Sequence, residues 1–121
     1  MKFYISGPMS GIENYNRPAF FEVETIIKST CKEIDPRCQH LVFNPARIPD
    51  ADKKKYRQLM RECIWGLTYC SHFVQLPRWE HSSGALIEYT LAIILEMPII
   101  QSTDIRSWLV KNLDPTSGPK R

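Results

Sequence analysis

Lys2-Phe3-Tyr4-Ile5-Ser6-Gly7-Pro8-Met9-Ser10-Gly11 is a short apolar run that ends in residues through which no strand continues. Residues 2–6 read as a buried strand, and Pro18 suits the first turn of a helix that follows. Phe20, Val23, Ile26, Ile27 and Cys31 recur at helical spacing until Asp35-Pro36-Arg37 breaks the pattern. The same unit then repeats. Leu41-Val42-Phe43 is a strand stopped by Asn44-Pro45, and Asp50 and Asp52 are expected to cap a second helix. The apolar face of that helix is Tyr56, Leu59, Met60, Cys63, Ile64 and Leu67. Residues 72–76 form a third strand, ended by Pro77. Ser82 or Ser83 caps a third helix running to Glu96, with Ala85, Leu91, Ala92 and Leu95 facing inward. Pro98-Ile99-Ile100-Gln101 is a fourth strand, and Asp104 caps a last helix carrying Ile105, Trp108 and Leu109. Strict strand–helix alternation predicts a three-layer α/β domain, a parallel sheet of four to five strands with helices on both faces. It spans residues 1–113, and 114–121 read as a mobile tail.

Composition bounds the function. The 121 residues suit one domain, and 43% hydrophobic with 24% charged residues is ordinary globular usage. A net charge of +3 is too mild to argue for nucleic-acid binding, and the run Lys53-Lys54-Lys55 with Arg57 reads as a solvated helix start. The stretch from Tyr89 to Leu95, cut by Glu96 and Pro98, is far short of a membrane span. No signal-peptide core precedes the first strand, so a cytoplasmic protein is expected, with Cys31, Cys38, Cys63 and Cys70 as reduced thiols. No two of them form a C-x-x-C pair and no histidine joins them at zinc spacing, so neither a metal site nor a cofactor is expected.

In a parallel α/β sheet, ligands sit outside the carboxyl ends of the strands. The loops there are 6–17, 44–50 and 77–83. In the first, Ser6, Gly7, Ser10 and Gly11 would let backbone N–H groups approach a phosphate or sugar. It matches neither of the two glycine-rich nucleotide loops, G-x-x-x-x-G-K-[ST] and G-x-G-x-x-G. In the third, Ser82, Ser83 and Gly84 open a helix, whose free N–H groups and dipole suit an anion. Glu88 lies just over one turn further on among Leu86, Ile87 and Leu91, so its carboxylate needs a polar use. Trp79 and Glu80 stand at the loop tip.

Three stretches carry a resemblance: Tyr4-Ile5-Ser6-Gly7-Pro8-Met9-Ser10-Gly11 with Asn14-Tyr15-Asn16 and Pro18-Ala19-Phe20; Phe43-Asn44-Pro45-Ala46; and Leu76-Pro77-x-Trp79-Glu80-x-Ser82-x-Gly84-Ala85-x-x-Glu88. Together, over roughly residues 3–101, the chain resembles a branch of small proteins, common in phages and bacteria, within the nucleoside 2-deoxyribosyltransferase-like superfamily. The resemblance implies a flavodoxin-like or Rossmann-like fold. It also implies chemistry at the base–sugar bond, as in the deoxyribosyltransferases and the nucleoside 5′-monophosphate N-glycosidases. By that likeness Glu88, four residues after Gly84, is the nucleophile, and Ser82, six before Glu88, helps hold a 5′-phosphate. The expected substrate-binding set is then Tyr4, Ser6, Gly7, Pro8, Met9, Ser10, Gly11, Asn44, Trp79, Ser82, Ser83 and Gly84, with Glu80 a candidate proton donor. Ser71 departs from the pattern, standing where related sequences usually carry an aspartate. The alternative is therefore a non-catalytic nucleotide-binding protein that senses or sequesters its ligand. Superfamily members complete the pocket with a neighbouring subunit, so a homodimer or higher homo-oligomer is expected, with Trp65, Tyr69 and Trp108 as candidate contact residues.

The chemistry fits the residue types. Cleaving a ribosyl–base bond passes through an oxocarbenium-like state, which a carboxylate beneath C1′ stabilises or captures covalently. Departure of the base needs a proton from an acid or from solvent.

Overall fold

A computed structural model of the chain describes residues 1–113. The expected mobile tail, 114–121, lies outside the described residues. Four strands, β1 (Lys2–Ser6), β2 (Leu41–Phe43), β3 (His72–Gln75) and β4 (Ile99–Gln101), alternate with four helices, α1 (Arg17–Ile34), α2 (Tyr56–Thr68), α3 (Ser83–Ile94) and α4 (Ile105–Leu113). All strand pairs are parallel, in the order β2-β1-β3-β4. The fold is the three-layer α/β sheet expected, with four strands.

Side chains alternate across β1 and so divide the core in two. Phe3 and Ile5, with Val74 and Ile100, pack against Phe20, Val23 and Ile27 of α1 and Ile105 and Leu109 of α4. Tyr4 and Phe73 face the other way, against Leu59, Cys63 and Leu67 of α2 and Ala92 of α3. The chain runs from β1 outward to β2, then crosses back over β1 to β3. The winding direction therefore reverses between β1 and β3, and a crevice opens at their carboxyl ends.

Three local expectations need correction. Asp50 and Asp52 do not cap α2: Asp50 is left-handed (φ 53°) and opens a 3₁₀ turn over Ala51–Lys53, whose Ala51 is buried, while α2 begins only at Tyr56. The α3 helix ends at Ile94, not Glu96, and Leu95 is exposed rather than inward. Its buried residues are Ala85, Glu88 and Ala92, while Leu86, Ile87, Ile93 and Ile94 are exposed. Apolar residues surround this helix, so periodicity alone marks no inner face. Finally, Cys31 and Cys38 are joined in a disulfide with Cα atoms 5.9 Å apart, whereas Cys63 and Cys70 are free thiols.

Gly7 shows how closely β1 and β3 approach. A Cβ placed there would lie 2.6 Å from the Cβ of Leu76, which is buried. That atom is fixed by its own backbone and has no rotamer by which to escape. Gly7→Ala is expected to destabilise the fold by about 1–3 kcal/mol; urea unfolding measures it, and an unchanged midpoint would mean that the strand ends are not so close-packed.

Candidate functional site

The crevice holds a cavity of about 410 Å³. Its walls come from the loop after β1 (Gly7, Pro8, Met9, Ser10), the first two turns of α2 (Tyr56, Leu59, Met60, Cys63), and the start of α3 (Ser82, Ser83, Gly84, Ala85, Glu88). Ser82 caps α3, its Oγ accepting from the N–H of Ala85 at 3.2 Å. Gly84 lets α2 approach: a Cβ there would stand 3.2 Å from both the Met60 sulfur and the Tyr56 hydroxyl. Tyr56 and Ser83 hydroxyls lie 3.2 Å apart across the cavity mouth.

Among the described residues, Glu88 is the acidic one on the cavity wall, and it is 5% exposed. Tyr4 donates its hydroxyl to Oε2 at 2.8 Å, and Ser6 donates to Oε1 at 2.6 Å. Both donors come from one face of β1, two residues apart, which is the period of a strand. Tyr4 and Ser6 are therefore beneath the cavity rather than on its wall, where they hold the carboxylate. Burial raises the pKa of Glu88 to about 7, and the two hydroxyl bonds lower it only in part. Burial and the Glu88 charge push the Tyr4 hydroxyl well above the usual phenol range, so it stays a donor. The Cys63 thiol beside it is pushed up to about 12, by burial first, which leaves it an unreactive neutral group at neutral pH.

Other expected site residues fall elsewhere. The Asn44 side chain is turned away, donating to Glu24 at 2.8 Å and accepting from the Ala46 N–H at 2.9 Å. Glu24 is buried and bound by Arg47 and Lys28 as well. Burial works to raise its pKa, but hydrogen bonds from Arg47, Lys28 and Asn44 prevail and hold it at about 2. Asn44 thus fixes its loop. Gly11 has a left-handed backbone (φ 79°) and lies beyond the wall.

Trp79 and Glu80 belong to a 3₁₀ turn, Trp79–His81, entered through left-handed Arg78 (φ 66°). Residues three apart eclipse in such a turn. Arg78 and His81 share the cavity wall, whereas Trp79 packs against Tyr89 with the rings tilted by 39° and centroids 4.6 Å apart, and Glu80 is exposed outside the wall. Glu80 is therefore misplaced as a proton donor; the side chain that the turn puts on the wall beside Arg78 is His81. Ser71 lies at the opposite end of the sheet. It accepts from the N–H of Lys2, the first residue of β1, and its Oγ is 2.8 Å from His72 Nδ1. In the sequence Tyr56, Met60 and Cys63 read only as part of the apolar face of α2. Their helical spacing places them on the core face, and the first turns of α2 overhang the sheet end.

The raised Glu88 pKa makes a stability prediction. The unfolded carboxyl titrates near 4.5 and the folded one near 7, so between these values the folded state binds more protons. Stability is therefore expected to fall as pH rises from about 5 to 8, by on the order of 3 kcal/mol at most. Glu88→Gln should lack this loss. Urea unfolding at several pH values reads the difference, and parallel profiles for parent and variant would contradict it.

Among described residues, no helix is long and apolar enough to cross a membrane. No curated protein matches the chain. A family model described as "Domain of unknown function (DUF4406)" matches residues 1–101. The cavity, the residues that wall it and strands β1 to β4 fall within that span, and the chain belongs to the DUF4406 family.

Proposed function

We propose that this protein binds a nucleoside 5′-monophosphate in the crevice and cleaves or transfers at its base–sugar bond, with Glu88 as nucleophile. The observation that carries the reading is a carboxylate buried against a cavity of about 410 Å³ and clamped by the hydroxyls of Tyr4 and Ser6. A cavity of that volume accommodates a ligand of nucleotide size. The Tyr4 and Ser6 bonds fix the carboxylate's direction, so little reorganisation remains when positive charge develops at C1′. Ionised Glu88 attacks C1′ as the C1′–N bond breaks, and the base leaves with a proton from His81 or solvent. Water, or a second base, then displaces Glu88 from the sugar. The free N–H groups at the start of α3, with Ser82, Ser83 and the Arg78 guanidinium on the same wall, suit the phosphate. Ser71 favoured a binding-only protein, but its place at the far end of the sheet removes that reason. The reading places the protein in the cytoplasm, where nucleotides are made and consumed.

An assay of free base released from a panel of nucleosides and their 5′-monophosphates tests this. Monophosphates are expected to be preferred, with the rate rising through pH about 7 as Glu88 ionises. Glu88→Gln should lose at least about a thousandfold. Full activity in that variant, or no release from any member of the panel, would refute the mechanism.

The same reading makes the protein a homo-oligomer. Trp65 and Tyr69 are 66% and 60% exposed and pack on each other at 4.9 Å. The outer side of α3 adds exposed Leu86, Ile87, Ile93 and Ile94. Such apolar area on a small domain suits a subunit contact. Trp108, by contrast, is half-buried against Phe3 and His72. Light scattering at micromolar concentration is expected to give a multiple of 14.1 kDa; a monomer with full base release would exclude a shared site.

A further inference from the structure

Cys31, on the last turns of α1, and Cys38 and His40, in the connection to β2, come together at the amino-terminal end of the sheet, away from the crevice. Their ligand atoms, two sulfurs and an imidazole nitrogen, all lie within 4.8 Å of one another. In sequence they are spaced C-x₆-C-x-H, which matches no familiar zinc pattern, so only folding reveals the cluster. Cys31 is buried and the other two are half-buried, on the wall of a cleft of about 270 Å³.

The loop that presents them does not need the sulfur–sulfur bond for its shape. Asp35 N–H donates to Cys31 O at 3.0 Å, Cys38 N–H to Asp35 O at 2.8 Å, and Arg37 N–H to the Asp35 carboxylate at 3.0 Å. The His40 ring is seated edge-on to Phe3 with centroids 6.1 Å apart, and its Nδ1 is 3.1 Å from the Met1 amino nitrogen. A disulfide makes no demand for an imidazole nitrogen within 4.8 Å of both sulfurs, whereas a thiolate-bound metal uses one.

Among the described residues, no carboxylate lines the cleft. Its charged residues are Lys28, already paired with Glu24 at 2.8 Å, and Lys32. For a hard, oxygen-seeking cation the lining offers only the Gln39 amide among the described side chains. Two thiolates and one imidazole instead match a borderline-soft divalent ion.

We propose that in the reduced chain Cys31, Cys38 and His40 bind Zn²⁺, and that the Cys31–Cys38 disulfide is the oxidised, metal-free form of the same site. A thiol or phosphine reductant supplies two electrons and, with two protons, breaks the Sγ–Sγ bond, becoming a disulfide or phosphine oxide itself. Zn²⁺ then displaces both thiol protons to solvent, forming two Zn–S bonds and one Zn–N bond. The fourth position faces the cleft, where water or a further ligand completes it.

Cobalt titration tests this, because Co²⁺ takes the same donors and thiolate coordination gives it a charge-transfer absorption. The chain reduced with a phosphine and desalted under nitrogen is expected to take up equimolar Co²⁺ with that absorption, and Zn²⁺ should displace it. The oxidised chain should show none. Cys38→Ser should abolish the band. His40→Gln should weaken binding at least about tenfold, since even groups that only support a ligand cost that much, and Cys70→Ser should leave it intact. Circular dichroism verifies that each variant is folded, and the oxidised-against-reduced comparison needs no variant. A reduced chain with free thiols but no charge-transfer band overturns the proposal. So does a band that survives Cys38→Ser, or an affinity that His40→Gln leaves unchanged.

Discussion

A carboxylate taken out of water must be met by hydrogen-bond donors or it will be protonated, and the Glu88 carboxylate sets this demand at the centre of the fold. Its two oxygens take one hydroxyl each, from Tyr4 and Ser6. Because both donors lie on one face of β1, Phe3 and Ile5 must point to the other, and the two halves of the core follow. For the bonds to reach 2.8 and 2.6 Å, α3 must come close to the sheet, which its inward alanines, Ala85 and Ala92, permit. The helix start then falls at the carboxyl ends of β1 and β3, beside the loop that begins with Gly7. One buried interaction thus joins strand register, helix position and cavity wall.

The molecule buries a second acid, Glu24, with the opposite result. Both are almost wholly shielded from solvent, yet Glu24 is held at about 2 and Glu88 rises to about 7. The difference is in the partners. Glu24 is met by Arg47, Lys28 and the Asn44 amide, so two positive charges favour its ionised form. Glu88 is met by neutral hydroxyls, which offset only part of the desolvation cost. Glu24 is therefore a permanent anion that ties α1 to the loop after β2. Glu88 is poised to change charge near neutrality, a property suited to a reacting group and wasteful in a merely structural one.

Strand–helix alternation and the breaks at Gly7-Pro8, Asn44-Pro45 and Pro77 made the sheet and its ligand edge legible. So did the anomaly of Glu88 in an apolar helix. What stayed hidden depends on geometry between elements. Asn44 looked like a site residue because it follows a strand, but Glu24, twenty positions earlier, captures its amide. Trp79 and Glu80 looked prominent at a loop tip, yet the left-handed turn at Arg78 presents Arg78 and His81 to the cavity instead. Tyr4 and Ser6 read as substrate-binding residues; their service to Glu88 instead appears only when β1 lies under α3. The pairing of Cys31 with Cys38 was likewise invisible, since it depends on the turn that Asp35 folds between them.

The period-two division of β1 has a thermodynamic consequence. Slipping this strand by one residue would exchange Tyr4 and Ser6 for Phe3 and Ile5, mispacking both halves of the core and removing both donors at once. The site therefore has no partly assembled state of its own, and forms in the same cooperative step as the central sheet. A ligand in the crevice should accordingly protect the amides of β1 and β3 against hydrogen exchange by mass action on the whole domain, rather than by tightening a local loop.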